Sequence, residues 1–401
     1  MKLKNLITTP LRLLYKLLVF KLWLPLEYRL RAAGAVDDSR TVFIEVRRDG
    51  LSNNFALLWD ALENDGVHRP ELCCLRLGSC GALSYIKNCR AMIKRIARAR
   101  YIFINEGSTV FSALPIRRET TVIQTWHGCG ALKRVGMSAL GNGGNVAGGR
   151  LERKLFPMCR HMDFICISSP EVAWAYEEAF DLHAGDGQRI CPVGTSRTDV
   201  YFDAERIAAA NARVRAAIPQ SAEKKLLLYA PTFRGETTNA RIPDELDIEL
   251  MRESLEEEYI LLIKHHPVVK EKQRIPESCR DFAFDVTDMQ IDDLLMSADV
   301  CISDYSSLVF DYSLLDRPMI FFVYDMDDYV DWRGLYYPFE DFCPGKKATT
   351  TQEIIDALQS PELFDAAAME RFRARHMASC DGHCTERILA LMDKTPDKNR
   401  K

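Results

Sequence analysis

The chain has 401 residues, of which 47% are hydrophobic and 27% charged, and its formal net charge is -4 at pH 7. This composition is that of a soluble globular protein, and single hydrophobic cores stop growing near roughly 250 to 300 residues, so the length predicts two domains. The acidic balance argues against a nucleic-acid binder. The thirteen cysteines, with no cleavable signal peptide visible, are typical of reduced thiols in a cytoplasmic protein rather than of a disulfide framework.

Residues 1–38 differ from the rest of the chain because leucines are interleaved with basic residues. No apolar run approaches the roughly 18 to 20 residues that span a bilayer. A basic, leucine-rich helix that carries Trp23 is instead typical of the interface of an anionic membrane. We therefore predict a peripheral protein at the cytoplasmic face of the cell membrane. The alternative is a helix packed on the protein's own surface, which the excess of Lys and Arg over the single Glu27 disfavours.

From Thr41 onward, runs rich in β-forming residues alternate with helical runs, and the pattern repeats after residue 204. This predicts an α/β protein with two doubly wound, Rossmann-like domains at 39–205 and 206–395, the second ending in helices. Ligand-binding residues should then lie at the carboxyl ends of strands. The predicted strands are Thr41–Val46, Leu72–Leu77, Tyr101–Asn105, Thr121–Thr125, Phe164–Ser168, Lys225–Tyr229, Tyr259–Lys264, Phe282–Val286, Val300–Ser303 and Met319–Val323.

Residues 141–149 are the one conspicuous low-complexity stretch, rich in Gly and Asn. The stretch contains no Walker lysine and follows no strand directly, so it predicts a mobile loop rather than a nucleotide-binding cradle. Its position shortly after Trp126-His127-Gly128 makes it a candidate flap over an active site.

Ser306 and Ser307 follow a short apolar strand and open a helix. The first N–H groups of a helix have no partner within it, and the helix dipole adds partial positive charge, so two hydroxyls there complete an anion site. The pattern therefore predicts a phosphate or pyrophosphate ligand. An ordinary strand, N-cap and helix would give the same pattern, and this segment alone does not separate the two interpretations.

Other polar residues also come directly after predicted strands. His127 follows the fourth strand, with glycines beside it that allow close backbone approach. His265 and His266 follow the seventh, and Thr232 and Arg234 the sixth. Each alone is a weak indication, because a single loop histidine is more often structural or merely exposed than catalytic.

Taken together and in order, these residues closely resemble the CDP-glycerol glycerophosphotransferase family, the primases and polymerases of teichoic-acid synthesis. The resemblance runs from about Thr121 to Lys347. The motifs that carry it are Trp126-His127-Gly128, Leu132-Lys133-Arg134, Gly194-Thr195-Ser196-Arg197, Ala230-Pro231-Thr232-Phe233-Arg234, His266-Pro267, Ser303-Asp304-Tyr305-Ser306-Ser307, Phe310-Asp311-Tyr312, Arg317-Pro318 and Tyr324–Tyr329.

The resemblance implies a GT-B fold, in which the C-terminal domain binds CDP-glycerol or CDP-ribitol and a membrane-bound acceptor enters the interdomain cleft. Such an enzyme transfers glycerol phosphate or ribitol phosphate to a hydroxyl of a polyprenyl-linked or polymeric acceptor and releases CMP. No cofactor is expected. His127 matches the proposed base that takes the acceptor's proton, and His266 matches the position that supports the departing CMP phosphate.

The remaining site residues are assigned by the same resemblance. Thr232, Arg234, Ser306 and Ser307 are expected to bind the donor phosphates. The polyol or ribose is assigned to Asp304, Asp311 and Asp328, and the acceptor side to Trp126, Gly128, Lys133 and Arg134. Two loops depart from the family pattern, since Cys129-Gly130 replaces a usual Thr-Pro and Ser196 replaces a usual proline. These departures bear on the choice of acceptor more than on activity.

Two groups of residues could be drawn as metal sites. His376, Cys380, His383 and Cys384 have no second paired-cysteine element, so we interpret these cysteines as core residues. The carboxylates near Asp304 could equally bind hydroxyls, and the resemblance argues against an obligatory metal. Two other functions stay open: a GT-B glycosyltransferase or epimerase that uses a UDP-sugar, and an inactive membrane scaffold for envelope enzymes.

Overall fold

A computed structural model describes residues 13–139, 155–182, 189–235, 240–266, 268–269 and 271–394, with side chains for all of these but 330–333. The first sheet has six parallel strands in the order β2-β1-β3-β4-β5-β6. Val42 of β1 pairs with Glu71 of β2 on one side and with Ile102 of β3 on the other. These strands are β1 Asp37–Glu45, β2 Arg69–Cys74, β3 Ala99–Ile104, β4 Thr121–Gln124, β5 Phe164–Cys166 and β6 Arg189–Cys191.

The second sheet also has six parallel strands, in the order β12-β11-β10-β7-β8-β9. Its central strands are buried on both faces, as runs such as Leu226–Leu228 require in a parallel sheet that helices cover. The strands are β7 Lys225–Tyr229, β8 Tyr259–Ile263, β9 Ala283–Asp285, β10 Val300–Ser303, β11 Met319–Phe322 and β12 Lys346–Ala348. All ten strands predicted from the sequence are confirmed, and β6 and β12 are additional.

Helices connect the strands and cover both sheets. Their first turns are often capped as the sequence suggests: Asp203 accepts hydrogen bonds from the backbone N–H groups of Glu205 and Arg206. The α-helices are α1 Leu24–Arg31, α2 Asn53–Asn64, α3 Ala82–Ile96, α4 Thr109–Ala113, α5 Ala173–Phe180, α6 Ala204–Ala217, α7 Ile248–Leu255, α8 Ile291–Ser297, α9 Leu308–Tyr312, α10 Met326–Arg333, α11 Phe339–Phe342, α12 Thr351–Gln359, α13 Ala366–His376 and α14 Cys384–Leu389. A π-helix, Leu18–Trp23, precedes α1, and short 3-10 helices occupy Pro170–Val172, Ser196–Phe202, Pro219–Ser221, Glu277–Cys279 and Ser313–Leu315.

The last helix, α14, returns to the first sheet. Its first backbone N–H groups, those of Cys384 and Thr385, donate to the carboxylate of Asp199 at 2.9 and 2.7 Å. Beyond the helix, Leu391 joins the buried cluster that contains Phe43 of β1. The predicted C-terminal domain, 206–395, therefore ends in a segment that completes the core of the N-terminal half. The predicted domain boundaries stay a prediction.

The two halves are also joined by backbone hydrogen bonds across the cleft. Lys133 and Leu335 form an antiparallel bridge. On either side of it, the Arg134 N–H donates to the Gly334 carbonyl at 3.1 Å, and the Tyr336 N–H donates to the Leu132 carbonyl at 2.9 Å. Loop 132–134 of the first half and segment 334–336 of the second are therefore held as one unit.

The N-terminal helix packs on the protein by one face only. Val19, Leu24 and Tyr28 are buried against the first domain, and Glu27 accepts hydrogen bonds from Arg90 of α3. A leucine at every fourth position lies on the opposite side: Leu14, Leu18, Leu22, Leu26 and Leu30 are 52%, 51%, 63%, 57% and 71% exposed. Within the described ranges, no helix is long and apolar enough to span a membrane.

Candidate active site

A cleft of about 680 Å³ lies where the carboxyl ends of strands from both halves meet. His127 and Lys133 reach it from loops after β4, in the first half. Thr232, His266 and Ser306 reach it after β7, β8 and β10 of the second. The structure thus brings together residues that the sequence predicts for the donor and for the acceptor. The glycine-rich stretch 141–149, predicted as a flap, lies outside the described residues.

The backbone just after β4 turns sharply to direct His127 into the cleft. Trp126 adopts a left-handed conformation with φ 57°, which is costly for a residue with a bulky side chain and is typical of functional sites. Its N–H donates to the side-chain oxygen of Gln124 at 2.9 Å. His127 Nδ1 lies 3.2 Å from the carbonyl oxygen of Asn105. Because a carbonyl oxygen only accepts, Nδ1 carries the proton and Nε2 is left with a free lone pair.

The electrostatic surroundings keep the His127 ring neutral. His127 keeps a surface exposed to solvent, but its ring lies inside the cleft with protein from both halves around it. This burial lowers the pKa of His127 below its usual 6.5, with the carboxylate of Glu106 opposing the shift and the guanidinium of Arg197 adding to it. At neutral pH the imidazole is therefore a base in its unprotonated form.

His266 has the opposite arrangement of ring nitrogens. Its Nδ1 accepts a hydrogen bond from the backbone N–H of Val268 at 3.2 Å, so in the neutral ring the proton is on Nε2. The ring also packs against Phe233, with ring centres 5.1 Å apart. Burial lowers the pKa of His266, and the cation of Lys133 lowers it further. Nε2–H is thus a hydrogen-bond donor at the cleft.

The predicted phosphate-binding hydroxyls line the same cleft. Helix α9 begins at Leu308 and has only five residues, with Ser307 at its N-cap and no hydrogen bond from the Ser307 side chain to the helix backbone. Ser306 Oγ accepts from the Leu308 N–H at 3.4 Å. Thr232 Oγ1 is buried and has no hydrogen-bond partner among the residues that the structure describes. A buried hydroxyl without a partner at the cleft wall is a position for a ligand oxygen.

The guanidinium of Arg234, a residue predicted to bind the donor phosphates, is paired with two carboxylates of the protein. Nη1 donates to Asp304 at 2.8 Å, and Nε and Nη2 donate to the two oxygens of Asp325 at 2.5 and 3.0 Å. The group also lies over the rings of Tyr305 and Tyr324, 5.6 and 5.4 Å from their centres. Arg234 is not among the residues that line the cleft. In this structure it braces the loop that carries Thr232, and its role in donor binding stays a prediction.

The three carboxylates predicted for hydroxyl binding lie in different surroundings. Asp304 is 1% exposed, and its other oxygen accepts from the Thr232 N–H at 2.8 Å, so both its oxygens serve the protein. Asp311 also lines the cleft but is 3% exposed and forms an ion pair with Arg197 at 2.8 Å. Asp328 is exposed on α10 and does not line the cleft. The structure therefore does not bring these three together as one polyol site.

On the acceptor side, Trp126, Gly128 and Lys133 line a second pocket beside His127. Arg134 does not reach it. Its Nη1 donates to Glu178 at 2.9 Å and its Nε to the Leu335 carbonyl at 3.2 Å, which commits the side chain to the interdomain bridge.

Four residues that matter here were not predicted as site residues. Asn105 orients His127, Asp325 pairs with Arg234, Arg197 links the halves, and Lys264 lines the cleft while donating to the Thr287 carbonyl at 2.6 Å. Asn105 and Lys264 immediately follow β3 and β8, so the rule that places ligands at carboxyl strand ends could have found them. Arg197 and Asp325 lie within two of the motifs that carry the family resemblance, but their pairing with Asp311 and Arg234 is visible only in the structure.

The candidate metal ligands near the C-terminus do not converge. His376 is 1% exposed and packs against the rings of Phe310, Phe342 and Phe372, whereas the side chain of His383 is 70% exposed. Across the described ranges, no group of three or more His, Cys, Asp and Glu residues is arranged to hold a metal ion.

With this fold and cleft, the chain belongs to the CDP-Glycerol:Poly(glycerophosphate) glycerophosphotransferase family, whose model matches residues 26–394. It is 31% identical over 364 residues to the teichoic acid ribitol-phosphate primase of Bacillus spizizenii, covering 90% of this chain and 92% of the primase. The teichoic acid glycerol-phosphate primase of the same organism is 30% identical over 308 residues, with 76% and 77% covered. The poly(ribitol-phosphate) polymerase is 34% identical over 302 residues, but this chain covers only 47% of its length.

Solved structures agree on the architecture. The wall teichoic acid polymerase TagF superposes with a TM-score of 0.72 at 20% identity, and 98% of each chain is covered. A Staphylococcus aureus MnaA structure with UDP gives a TM-score of 0.53 at 13% identity, covering 89% of this chain and 99% of that one. Identities this low concern the fold alone, and they confirm the predicted GT-B arrangement of two Rossmann-like domains.

Proposed function

We propose that this protein transfers glycerol phosphate or ribitol phosphate from a CDP-activated donor to a hydroxyl of a membrane-bound acceptor, lipid-linked or polymeric, and releases CMP. The observation that carries this proposal is the pair of neutral imidazoles on the cleft, which carry their protons on opposite ring nitrogens. The family and the primases that resemble the chain along most of its length support the same chemistry.

The reaction needs one group that accepts a proton and one that donates to a leaving oxygen. The acceptor hydroxyl attacks the phosphorus that bears the polyol, its proton passes to Nε2 of His127, and the bond from that phosphorus to the CMP oxygen breaks. The charge that develops on the departing CMP phosphate is met by the Nε2–H of His266. The Asn105 carbonyl holds the proton of neutral His127 on Nδ1, which leaves Nε2 to accept, and the Val268 N–H holds the proton of neutral His266 on Nε2, which can donate.

Donor binding is assigned to the hydroxyls and cation of the cleft. Thr232, Ser306 and Ser307 supply hydroxyl groups there, and Lys264 supplies positive charge near a pyrophosphate. Arg234 would contribute indirectly. It donates to Asp304, which in turn accepts from the Thr232 N–H and so fixes the loop of Thr232.

The test is an assay of CMP release by purified protein with bacterial membranes, supplied separately with CDP-glycerol and CDP-ribitol. We expect release with at least one donor. Release of UDP from a UDP-sugar, with neither CDP-polyol used, would support the glycosyltransferase or epimerase alternative. Donor binding by calorimetry without any turnover would support the scaffold.

The lowered pKa of His127 predicts the acid side of the pH profile. The base is active when unprotonated, so kcat/KM should rise with pH through the pKa of His127 and be flat above it. Because burial places that pKa below 6.5, the midpoint of the rise should lie below 6.5. The measurement is kcat/KM for the donor between about pH 4.5 and 8. A midpoint above 6.5 would contradict the assignment of His127 as the base.

We further propose that the protein is peripheral at the cytoplasmic face of the membrane and that the N-terminal helix makes the contact. The exposed leucines of this helix, with Trp23 at 43% exposure, form an apolar strip that no described part of the protein covers. Arg29, exposed on the same helix three residues after Leu26, can approach anionic headgroups.

Replacing Leu18, Leu22 and Leu26 together by serine should release the protein from anionic vesicles. All three side chains are more than half exposed, so folding should not suffer, while the loss of apolar insertion should weaken vesicle partition by about tenfold or more. The measurement is co-sedimentation with vesicles at low salt and high salt, because the electrostatic part is screened.

The matched control replaces Leu83 and Val67 by serine. These residues lie elsewhere in the first half and are 85% and 65% exposed. This variant should bind vesicles like the wild type. Equal binding by the helix variant and the wild type would show that another surface makes the membrane contact.

A further inference from the structure

A second, smaller pocket opens beside the cleft, and of the proposed donor groups Ser307 alone lines it. Its volume is about 220 Å³, and it lies between the loop after β4 and helix α5. Its walls are mostly carbon, from Trp126, Val135, Ala175, Ala179 and the ring of Tyr336.

The two cavities meet at three shared residues. His127, Lys133 and Ser307 line both the small pocket and the large cleft. A transfer between two substrates needs its base at the junction of their sites, with the attacking hydroxyl on one side and the phosphorus on the other. His127 occupies such a junction, with the donor-phosphate hydroxyls on the side of the large cleft.

We infer that the small pocket holds the terminal unit of the acceptor, a short polyol, with its free hydroxyl at His127 Nε2 and its phosphodiester at the cation of Lys133. This inference rests on the function proposed above and assigns its second substrate to a place. The polyol oxygen forms the new bond to the donor phosphorus, its proton goes to Nε2, and CMP leaves with the electron pair of the broken P–O bond.

Size and lining both favour a short polyol. One water occupies roughly 30 Å³ of liquid, so 220 Å³ is about seven times that volume, which suits a chain of a few carbon and oxygen atoms rather than a long lipid. Carbon walls suit the CH groups of such a chain, and the shared residues His127, Lys133 and Ser307 offer polar atoms to its oxygens. Tyr176 is fixed because its hydroxyl shares its one proton between the carbonyl oxygens of Gly128 and Gly130, at 3.3 and 3.0 Å.

The pocket's floor depends on a close approach between the two halves. Gly130 has φ 59°, and a Cβ there would lie 2.2 Å from the ring of Phe310, in α9. Only glycine allows this approach, which brings α9 and its Ser307 against the loop of His127. The pocket therefore exists only when the donor and acceptor halves are packed together.

Val135→Phe tests the pocket without touching the junction residues. Val135 is half-buried on the pocket wall, so a larger ring can fill the space without being forced into the core. We expect the KM for the acceptor to rise about tenfold or more while the Kd for the CDP-polyol changes by less than about twofold. The acceptor probes are short synthetic oligomers of glycerol phosphate and of ribitol phosphate, with CMP release as the readout. Val67→Phe, at a position 65% exposed, is the matched control and should leave both constants unchanged.

An acceptor KM for folded Val135→Phe within about twofold of the wild type would overturn the inference. So would a wild-type enzyme that turns over only with a glycolipid acceptor lacking a terminal polyol. If Val135→Phe does not fold, as judged by circular dichroism, Val135→Met is used instead. Its flexible side chain fills part of the pocket and should also raise the KM for the acceptor. Failure of the proposed function is seen separately, because the wild type would then release CMP from neither CDP-polyol with any acceptor.

Discussion

His127→Ala is expected to lower kcat by about 10²- to 10⁴-fold, the usual cost of losing a general base. Donor affinity should be almost unchanged, because the proposed donor groups are the hydroxyls after β7 and β10 and the Lys264 cation after β8. The measurement pairs the rate of CMP release with calorimetric binding of the CDP-polyol. The remaining activity of this variant should also lack the acid limb of the pH profile.

The matched control for this variant is His383→Ala, since the His383 side chain is 70% exposed and far along the chain from the cleft loops. It should have wild-type kinetics. A His127→Ala enzyme with more than half of the wild-type turnover would show that another group takes the proton. An equal loss of donor affinity and rate would instead assign His127 to donor binding.

Arg234→Met is expected to destabilise the fold severely. The change removes the cation that is paired with both Asp304 and Asp325, and the side chain of Asp304 is only 2% exposed. Removing one partner of a buried ion pair typically costs about 3 to 5 kcal/mol, because the remaining charge is left uncompensated. Arg234→Lys should be intermediate, since an ammonium keeps the charge but lacks the planar fork that donates to both oxygens of Asp325 and to Asp304 at once. The measurement is the free energy of unfolding in urea.

Arg213→Met is the control with the same chemistry at the surface. Arg213 also donates from two nitrogens to one carboxylate, that of Asp293, at 2.9 and 2.6 Å, but its side chain is 56% exposed. Its stability should hardly change, because solvent replaces the lost partner. If Arg234→Met kept wild-type stability and lost donor affinity alone, Arg234 would bind the donor directly, as the resemblance implies.

Most of the fold could be predicted because parallel strands buried on both faces are continuous runs of β-branched and aliphatic residues. Both missed strands, Arg189–Cys191 and Lys346–Ala348, have three residues and lie at the outer edges of their sheets. An edge strand needs little apolar sequence, since only one neighbour and part of a face cover it. The local sequences of these two strands, Arg-Ile-Cys and Lys-Lys-Ala, therefore carry almost no signal.

The site was predictable in a similar, partial way. His127, Thr232, His266 and Ser306 all face the cleft because topology alone places the ends of parallel strands together. The role of Arg234 was not predictable, because its pairing with Asp325 joins residues 91 positions apart and depends on side-chain geometry. The protonation of the two histidines likewise depends on a carbonyl and an N–H that no motif records.

The return of α14 to the first sheet has a consequence for how the polypeptide is made. Phe43 and its neighbours in β1 leave the ribosome early, whereas Leu391, which covers them, follows some 350 residues later. During that interval the first half carries an unfilled apolar surface and an Asp199 carboxylate whose backbone partners have not yet been synthesised. Domains usually fold in the order of their synthesis, but here the first domain to be synthesised is among the last to complete its hydrophobic core. We therefore expect that the first half, produced alone, needs the helix supplied as a separate peptide to become compact.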